Sequence, residues 1–207
     1  MTAITFHDVE QNTDEWYALR VGKITSSNYV CIMANAPGGF GEPAKKHAIK
    51  LALERVTGVR CSESFSNAHT ARGHEQEPDA RLLYEFYQGC KVLNGGFFCN
   101  EIYGGSPDGL VGDDGLIEIK SVIPSIHYDN LRRDKWCPTK HWQMVGNLEI
   151  TGRKWIDFVS YCPEFPEHNH LAIRRMTAEQ VADDMVKLKE RRQNFNELIE
   201  RIRGEIQ

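Results

Sequence analysis

Asp108, Glu118 and Lys120 are the side chains whose types and spacing are best suited to chemistry. The first lies in Ser106-Pro107-Asp108-Gly109-Leu110, the others in Leu116-Ile117-Glu118-Ile119-Lys120. Asp114-Gly115 between the two runs reads as a two-residue hairpin turn, with positive φ required at both positions. Alternation on the second strand puts Glu118 and Lys120 on one face, with Ile117 and Ile119 on the other. Asp108 approaches Glu118 from the neighbouring strand. Two carboxylates beside an ammonium suit a divalent-metal phosphodiesterase. Hard oxygen ligands (Asp108, Glu118 and the Ile119 carbonyl) hold Mg²⁺ with positions left for water and phosphate. Lys120 would orient or deprotonate the attacking water, or neutralise transition-state charge. Without metal the carboxylates repel, so at least one should have a raised pKa. The competing reading is a surface hairpin with an ordinary Glu–Lys pair, a pattern that recurs by chance. The Ser-Pro-Asp-Gly context and the glycine-bounded hairpin weigh against it.

Upstream, Ala71-Arg72-Gly73-His74-Glu75-Gln76-Glu77 places two acids on a helix with a glycine inside it. Glycine costs about 1 kcal/mol in a helix interior, so Gly73 suggests a close approach. Taken alone, the segment reads as a solvated acidic turn.

The elements that must position these residues are legible from periodicity and punctuation. Asp14 is a candidate N-cap for Glu15 to Arg20, and Ser26 or Ser27 for a helix through Met33. Ala36-Pro37-Gly38-Gly39-Phe40-Gly41-Glu42-Pro43 breaks the chain, with Phe40 either plugging the loop or wedging into a partner. An amphipathic helix is expected over 45–56, and a longer one over 67–87 that Pro78 kinks or restarts. Strands follow at 96–102, 106–111 and 116–122. A helix carrying Trp142, Val145 and Leu148 and a strand over 155–161 come next. Thr177 and Gln180 form a capping box for a last helix at about 178–203. Its apolar stripe (Val181, Met185, Leu188, Phe195, Leu198, Ile199, Ile202) would pack first on its own domain, and second on another subunit. The order predicts a single α/β domain over 1–207, built on one central mixed β-sheet flanked by α-helices.

The 207 residues suffice for a sizeable core, and 41% apolar with 26% charged residues is ordinary for a globular protein. No run of about 18 apolar residues and no secretory leader is visible, which predicts a cytoplasmic chain without a membrane partner. The six cysteines form no Cys-x-x-Cys pair, so zinc and iron–sulfur sites are poorly supported. A net charge of −4 does not announce a nucleic-acid binder. Part of that acidity belongs to a metal site, whose ions reverse the local sign.

Together these segments resemble the phage lambda exonuclease (YqaJ-type viral recombinase) family of PD-(D/E)xK nucleases. The resemblance rests on Trp16 to Ser27, then Arg72-Gly73 with Glu77-Pro78-Asp79-Ala80-Arg81, then Ser106-Pro107-Asp108-Gly109 with Glu118-Ile119-Lys120. A weaker match runs from Gln143 to Gly152, so the likeness spans 16–161. It implies a restriction-endonuclease-like core in which Asp108, Glu118 and the Ile119 carbonyl bind metal and Lys120 serves the water. Glu77 matches a third metal-binding acid, which displaces the solvated-turn reading. Gln143 matches a helix glutamine at the catalytic centre. Arg20, Ser27 and Ser106 match positions that hold a terminal 5′-phosphate.

The implied activity is 5′→3′ exonucleolysis of linear double-stranded DNA, releasing mononucleotides and leaving 3′ single strands. Two Mg²⁺ ions, for which Mn²⁺ substitutes, are implied with it, as are a homotrimeric ring, a single-strand annealing protein as partner and a phage or prophage origin. Two competitors stand: a restriction-type or structure-specific endonuclease, and a catalytically silent DNA-end-binding module. A terminal-phosphate pocket has no use on internal bonds, and a complete catalytic set has none in a silent module.

Overall fold

A computed structural model describes residues 3–34, 36, 39–61 and 68–207, with side chains described outside 68–74. The expected helix start at Asn67, the burial of Ala71 and the close approach at Gly73 therefore lie outside the described residues. The elements run β1 (Thr5–His7), α1 (Asp14–Arg20), β2 (Ile24–Thr25), α2 (Tyr29–Met33), α3 (Glu42–Thr57) and α4 (Ala68–Gln88). Then come β3 (Val92–Leu93), β4 (Phe97–Cys99), β5 (Tyr103–Gly105), β6 (Gly109–Val111) and β7 (Gly115–Ser121). The chain closes with α5 (Pro124–Arg132), α6 (His141–Thr151), β8 (Trp155–Tyr161), β9 (Leu171–Thr177) and α7 (Ala182–Ile206).

The expected α/β architecture, a mixed sheet flanked by helices, is present, and a second, smaller sheet accompanies it. The smaller has order β1-β4-β5-β2, the larger β3-β6-β7-β8-β9. The chain crosses between them at Ser106-Pro107, where proline has no N–H to continue a ladder. Asp108 N then bonds to Ile117 O at 3.0 Å and begins the pairing of β6 with β7. In the larger sheet β7 and β8 are parallel, with Glu118 opposite Phe158, and the remaining pairs are antiparallel.

β7 reads its two faces as the alternation requires. Ile117 and Ile119 pack with Val159 and Tyr161 against Ala80 and Tyr84 of α4. On the opposite face Leu116 joins Ile156 and Phe158 under Met144, Val145 and Leu148 of α6 and Phe195 and Ile199 of α7. A one-residue slip would drive Glu118 into the apolar α4 layer and pull both isoleucines out of it, each worth about 1.5–3 kcal/mol when buried. The register that positions the acids is thus set by the core.

The helices carry the site to its place. α4 continues through Pro78 rather than restarting there. Tyr84 on α4 is fully buried, and its hydroxyl donates to Asp157 Oδ2 at 2.7 Å. Arg175 also grips that carboxylate, with two bonds of 2.8 Å. Tyr84→Phe should lower the unfolding free energy by about 2 kcal/mol, read in urea, because a buried bond to a charged group is lost. The stripe of α7 packs on its own domain, with Leu188, Phe195 and Ile199 fully buried. Thr177 and Gln180 exchange the capping-box bonds ahead of α7. Phe40 plugs its loop against Phe195 at 5.2 Å between ring centroids, with the Arg191 guanidinium over its other side.

Candidate active site

The turn that closes the hairpin is three residues long, Gly112-Asp113-Asp114, because Val111 pairs with Gly115. Gly112 alone takes the positive φ, at 52°. Gly115 is needed for a different reason: a Cβ there would lie 2.1 Å from the Trp155 ring.

Past this turn, the acids and the lysine meet. Asp108 Oδ2 accepts from Ile119 N at 2.7 Å and from Lys120 Nζ at 3.2 Å. Lys120 Nζ lies 2.6 Å from Glu118 Oε1, so one ammonium bridges both carboxylates. Glu118 is completely buried and Asp108 nearly so. From α6, Gln143 Nε2 donates to Glu118 Oε1 at 2.5 Å and Asn147 Nδ2 to Oε2 at 3.3 Å.

Burial, reinforced by the nearby Asp108 charge, pushes the Glu118 carboxyl up to about 7, against the pull of Lys120. Burial alone would lower the Lys120 ammonium, but Asp108 and Glu118 outweigh it and raise its pKa. Lys120 is therefore a fixed positive charge in this state rather than a ready base. Lys140, just ahead of α6, is lowered by burial and by Lys120. Even with an ammonium touching both acids, Glu118 holds its proton toward neutrality. A buried pair of hard-oxygen donors short of positive charge fits a divalent cation of the Mg²⁺ type.

Glu77 sits beside this core rather than in it. Arg81 Nη2 lies 3.3 Å from Glu77 Oε1 and donates to the Asp108 carbonyl at 2.5 Å. Burial and Asp108 raise the Glu77 carboxyl, while Lys120 and Arg81 oppose the shift. Among the described residues no three His, Cys, Asp or Glu side chains come close enough to hold a metal ion. A cavity of about 630 Å³ opens here, walled by Gln11, Glu77, Pro78, Arg81, Leu82 and Asp108 among others.

Two contributors were missed from sequence. Asn147 lies four residues after Gln143, so helical spacing alone would have placed it on the same face. It is fully buried and also accepts from Ser26 Oγ at 2.6 Å. Gln11 Nε2 donates to the Pro107 carbonyl at 3.0 Å and lies 3.5 Å from Asp108 Oδ1. It stands in an irregular stretch before α1, where no periodicity marks it.

A second cavity, about 270 Å³, is lined by Arg20, Lys23, Thr25, Ser27, Lys50 and Arg60, among others. Thr13, not Asp14, caps α1, accepting from Trp16 N at 3.3 Å. Neither Ser26 nor Ser27 caps a helix. Arg20 Nη2 instead donates to Thr25 Oγ1 and Ser27 Oγ, both at 3.3 Å. Arg20 and Ser27 are thus brought together as expected of a phosphate pocket, with Thr25 added. Ser106 is not. Its proton is committed to the Gly96 carbonyl, and its oxygen accepts from Trp16 Nε1 at 3.0 Å. A phosphate oxygen needs a donor, and Ser106 has none left. It touches Trp16 instead, whose ring centroid lies 3.9 Å from the Arg20 guanidinium carbon.

The model of the YqaJ-like viral recombinase domain matches residues 15–154 of this sequence. The chain belongs to that family. Solved structures agree with the assignment. The alkaline exonuclease LHK-Exo from Laribacter hongkongensis is 31% identical, with a TM-score of 0.83 over 94% of this chain and 96% of that one. The same enzyme in complex with dAMP is 32% identical, with a TM-score of 0.79, over 94% and 98% of the two chains. A phage-related exonuclease from Haemophilus somnus 129PT shares the fold at 16% identity and a TM-score of 0.69, over 89% and 96% of the chains. No curated protein matches significantly. Among the described residues of this YqaJ-like chain, no helix is long and apolar enough to cross a membrane.

Proposed function

We propose that this chain is a Mg²⁺-dependent exonuclease that degrades the 5′-terminated strand of linear duplex DNA. The observation that carries the reading is the contact of Lys120 with both Asp108 and Glu118, on a hairpin tied by Ser106–Trp16 to the Arg20 cavity. Family membership and two exonuclease structures above 30% identity support nuclease chemistry.

Asp108, Glu118 and the Ile119 carbonyl would hold the metal; Glu77, which sits beside them, joins them by family resemblance, which also implies two ions and Mn²⁺ as a substitute. When bound, the metal would make a water more acidic and would neutralise phosphoryl charge. The protein's own part is positional. Gln143 and Asn147 fix the Glu118 carboxylate from α6, and Lys120 holds a positive charge beside the attacked phosphate. Arg20, Thr25 and Ser27 would grip the terminal 5′-phosphate, a guanidinium with hydroxyls completing its shell. Gripping the end places the adjacent bond at the metal and sets 5′→3′ polarity.

Linear duplexes labelled at either the 5′ or the 3′ end test the polarity. The 5′ label should appear at once as a mononucleotide, with the 3′ label retained until late; the reverse order would end the proposal. Gln11→Ala should reduce kcat/KM by about tenfold, since it removes one hydrogen bond that orients the Pro107–Asp108 segment. An unchanged value would remove Gln11 from the machinery.

Family resemblance further supports a homotrimeric ring, a single-strand annealing protein as partner and a phage or prophage origin in a bacterial cytoplasm. A ring would hold DNA by topology and so lessen the need for salt-sensitive phosphate contacts on an acidic protein. Sedimentation at micromolar concentration should return three times the chain mass, and a monomer would remove the ring.

A further inference from the structure

We propose that Arg60 is a second phosphate-binding guanidinium of the Arg20 cavity, and that the pair selects a terminal phosphate monoester over a hydroxyl end. The inference rests on the reading of that cavity as the 5′-phosphate pocket. Trp16 and Tyr17 are consecutive on α1, and their rings stand edge to face with centroids 5.0 Å apart. Each carries a guanidinium. The Arg20 carbon lies 3.9 Å from the Trp16 centroid, and the Arg60 carbon lies 3.5 Å from that of Tyr17. Both arginines line the same cavity, although Arg60 arrives from beyond α3.

Stacking on a ring uses the face of a guanidinium and leaves its in-plane N–H edge for an acceptor. It also fixes the plane, so less freedom is lost when an anion binds. Arg20 spends part of its edge on Thr25 and Ser27, which line the same cavity. Arg60 is exposed, and no acceptor for its N–H groups is found among the described residues. Lys23 and Lys50 add charge to the same wall. The one acid among the described lining residues, Glu54, accepts from Gly22 N at 2.9 Å and Cys61 N at 3.0 Å and pairs with Lys50 at 4.0 Å.

The charge count suggests what the second arginine is for. A terminal phosphate monoester carries about −1.5 to −2 at neutral pH, an internal diester −1, and a hydroxyl end no added charge. One guanidinium would serve a diester. Two aimed into one small cavity match a dianion, and the second adds most where the ligand has a second charge.

The test uses the full chain and linear duplexes that differ only in a 5′-phosphate or a 5′-hydroxyl. In Arg60→Gln, the loss of kcat/KM on the phosphate-ended duplex should exceed the loss on the hydroxyl-ended one by about tenfold or more, the weight of a charge-assisted bond. Arg60→Lys should recover part of it. Metal-free protein titrated with inorganic phosphate, followed by the fluorescence of cavity-lining Trp16, should bind about tenfold more weakly in Arg60→Gln with unchanged circular dichroism. Wild-type end preference and phosphate affinity in that variant, alongside their loss in Arg20→Gln, would overturn the role of Arg60 alone. A wild-type protein with no preference for the phosphate end would overturn the pocket and Arg60 together.

Discussion

Lys120→Met will lose DNA hydrolysis by about 1,000-fold or more while the protein still binds duplex ends. The magnitude follows from two effects at one atom. Removing a positioned donor from a buried charge-stabilising site commonly costs 100- to 1,000-fold, and a misplaced proton or water costs a similar factor. Lys120 Nζ is also the cation that touches both acids, at 3.2 Å from Asp108 and 2.6 Å from Glu118. Without it the carboxylates repel, Glu118 is pushed further toward its neutral form, and metal affinity drops as well. The Arg20 cavity is untouched, so electrophoretic shift of 5′-phosphorylated duplex in Ca²⁺ should stay near the wild-type level. A variant that digested DNA at the normal rate would remove Lys120 from the chemistry.

Glu118→Gln should be equally inactive, and it should also remove a pH effect on stability. In the metal-free protein the Glu118 carboxyl is raised from an ordinary 4.5 to about 7. The folded state therefore binds this proton more tightly than the unfolded chain does. Its stabilising contribution is complete below about pH 4.5 and is lost as pH climbs through 7. At about 1.4 kcal/mol per pK unit, the loss is on the order of 3 kcal/mol, or several degrees of Tm for a chain of this size. Glu77 shifts in the same direction and adds to the slope. Metal-free wild-type protein should thus melt lower at pH 8 than at pH 5, with Mg²⁺ restoring more at pH 8. Glu118→Gln should flatten the profile and blunt the Mg²⁺ effect. Scanning calorimetry with and without Mg²⁺ reads both, and a wild-type Tm that rises from pH 5 to 8 would contradict the assignment.

Much of this site was legible because it lies on one hairpin. Alternation along β7 placed Glu118 and Lys120 opposite Ile117 and Ile119, and the core packs on both faces of that strand as the pattern requires. The turn was misplaced because Asp114-Gly115 matches a common hairpin signal. Gly115 is instead a glycine by its closeness to Trp155, a contact some 40 residues away in sequence. The second sheet was missed for a related reason. β1, β2 and β5 are two or three residues long, too short for periodicity, and pair only once the chain has folded.

Polar partners that act across the fold were the least legible. Gln11 and Arg60 reach their sites from irregular segments, and only tertiary structure shows what they face. Ser106 was read as a phosphate ligand from the family resemblance, together with Arg20 and Ser27. Its proton, however, goes to the Gly96 carbonyl, a bond that no local pattern announces.

Digestion of linear and covalently closed circular forms of the same duplex DNA, in Mg²⁺, is the most direct test of action from an end. The linear form should be converted to 5′-mononucleotides, abolished by chelation, while the closed circle persists. Cleavage of the circle at a rate equal to that of the linear form would contradict the account.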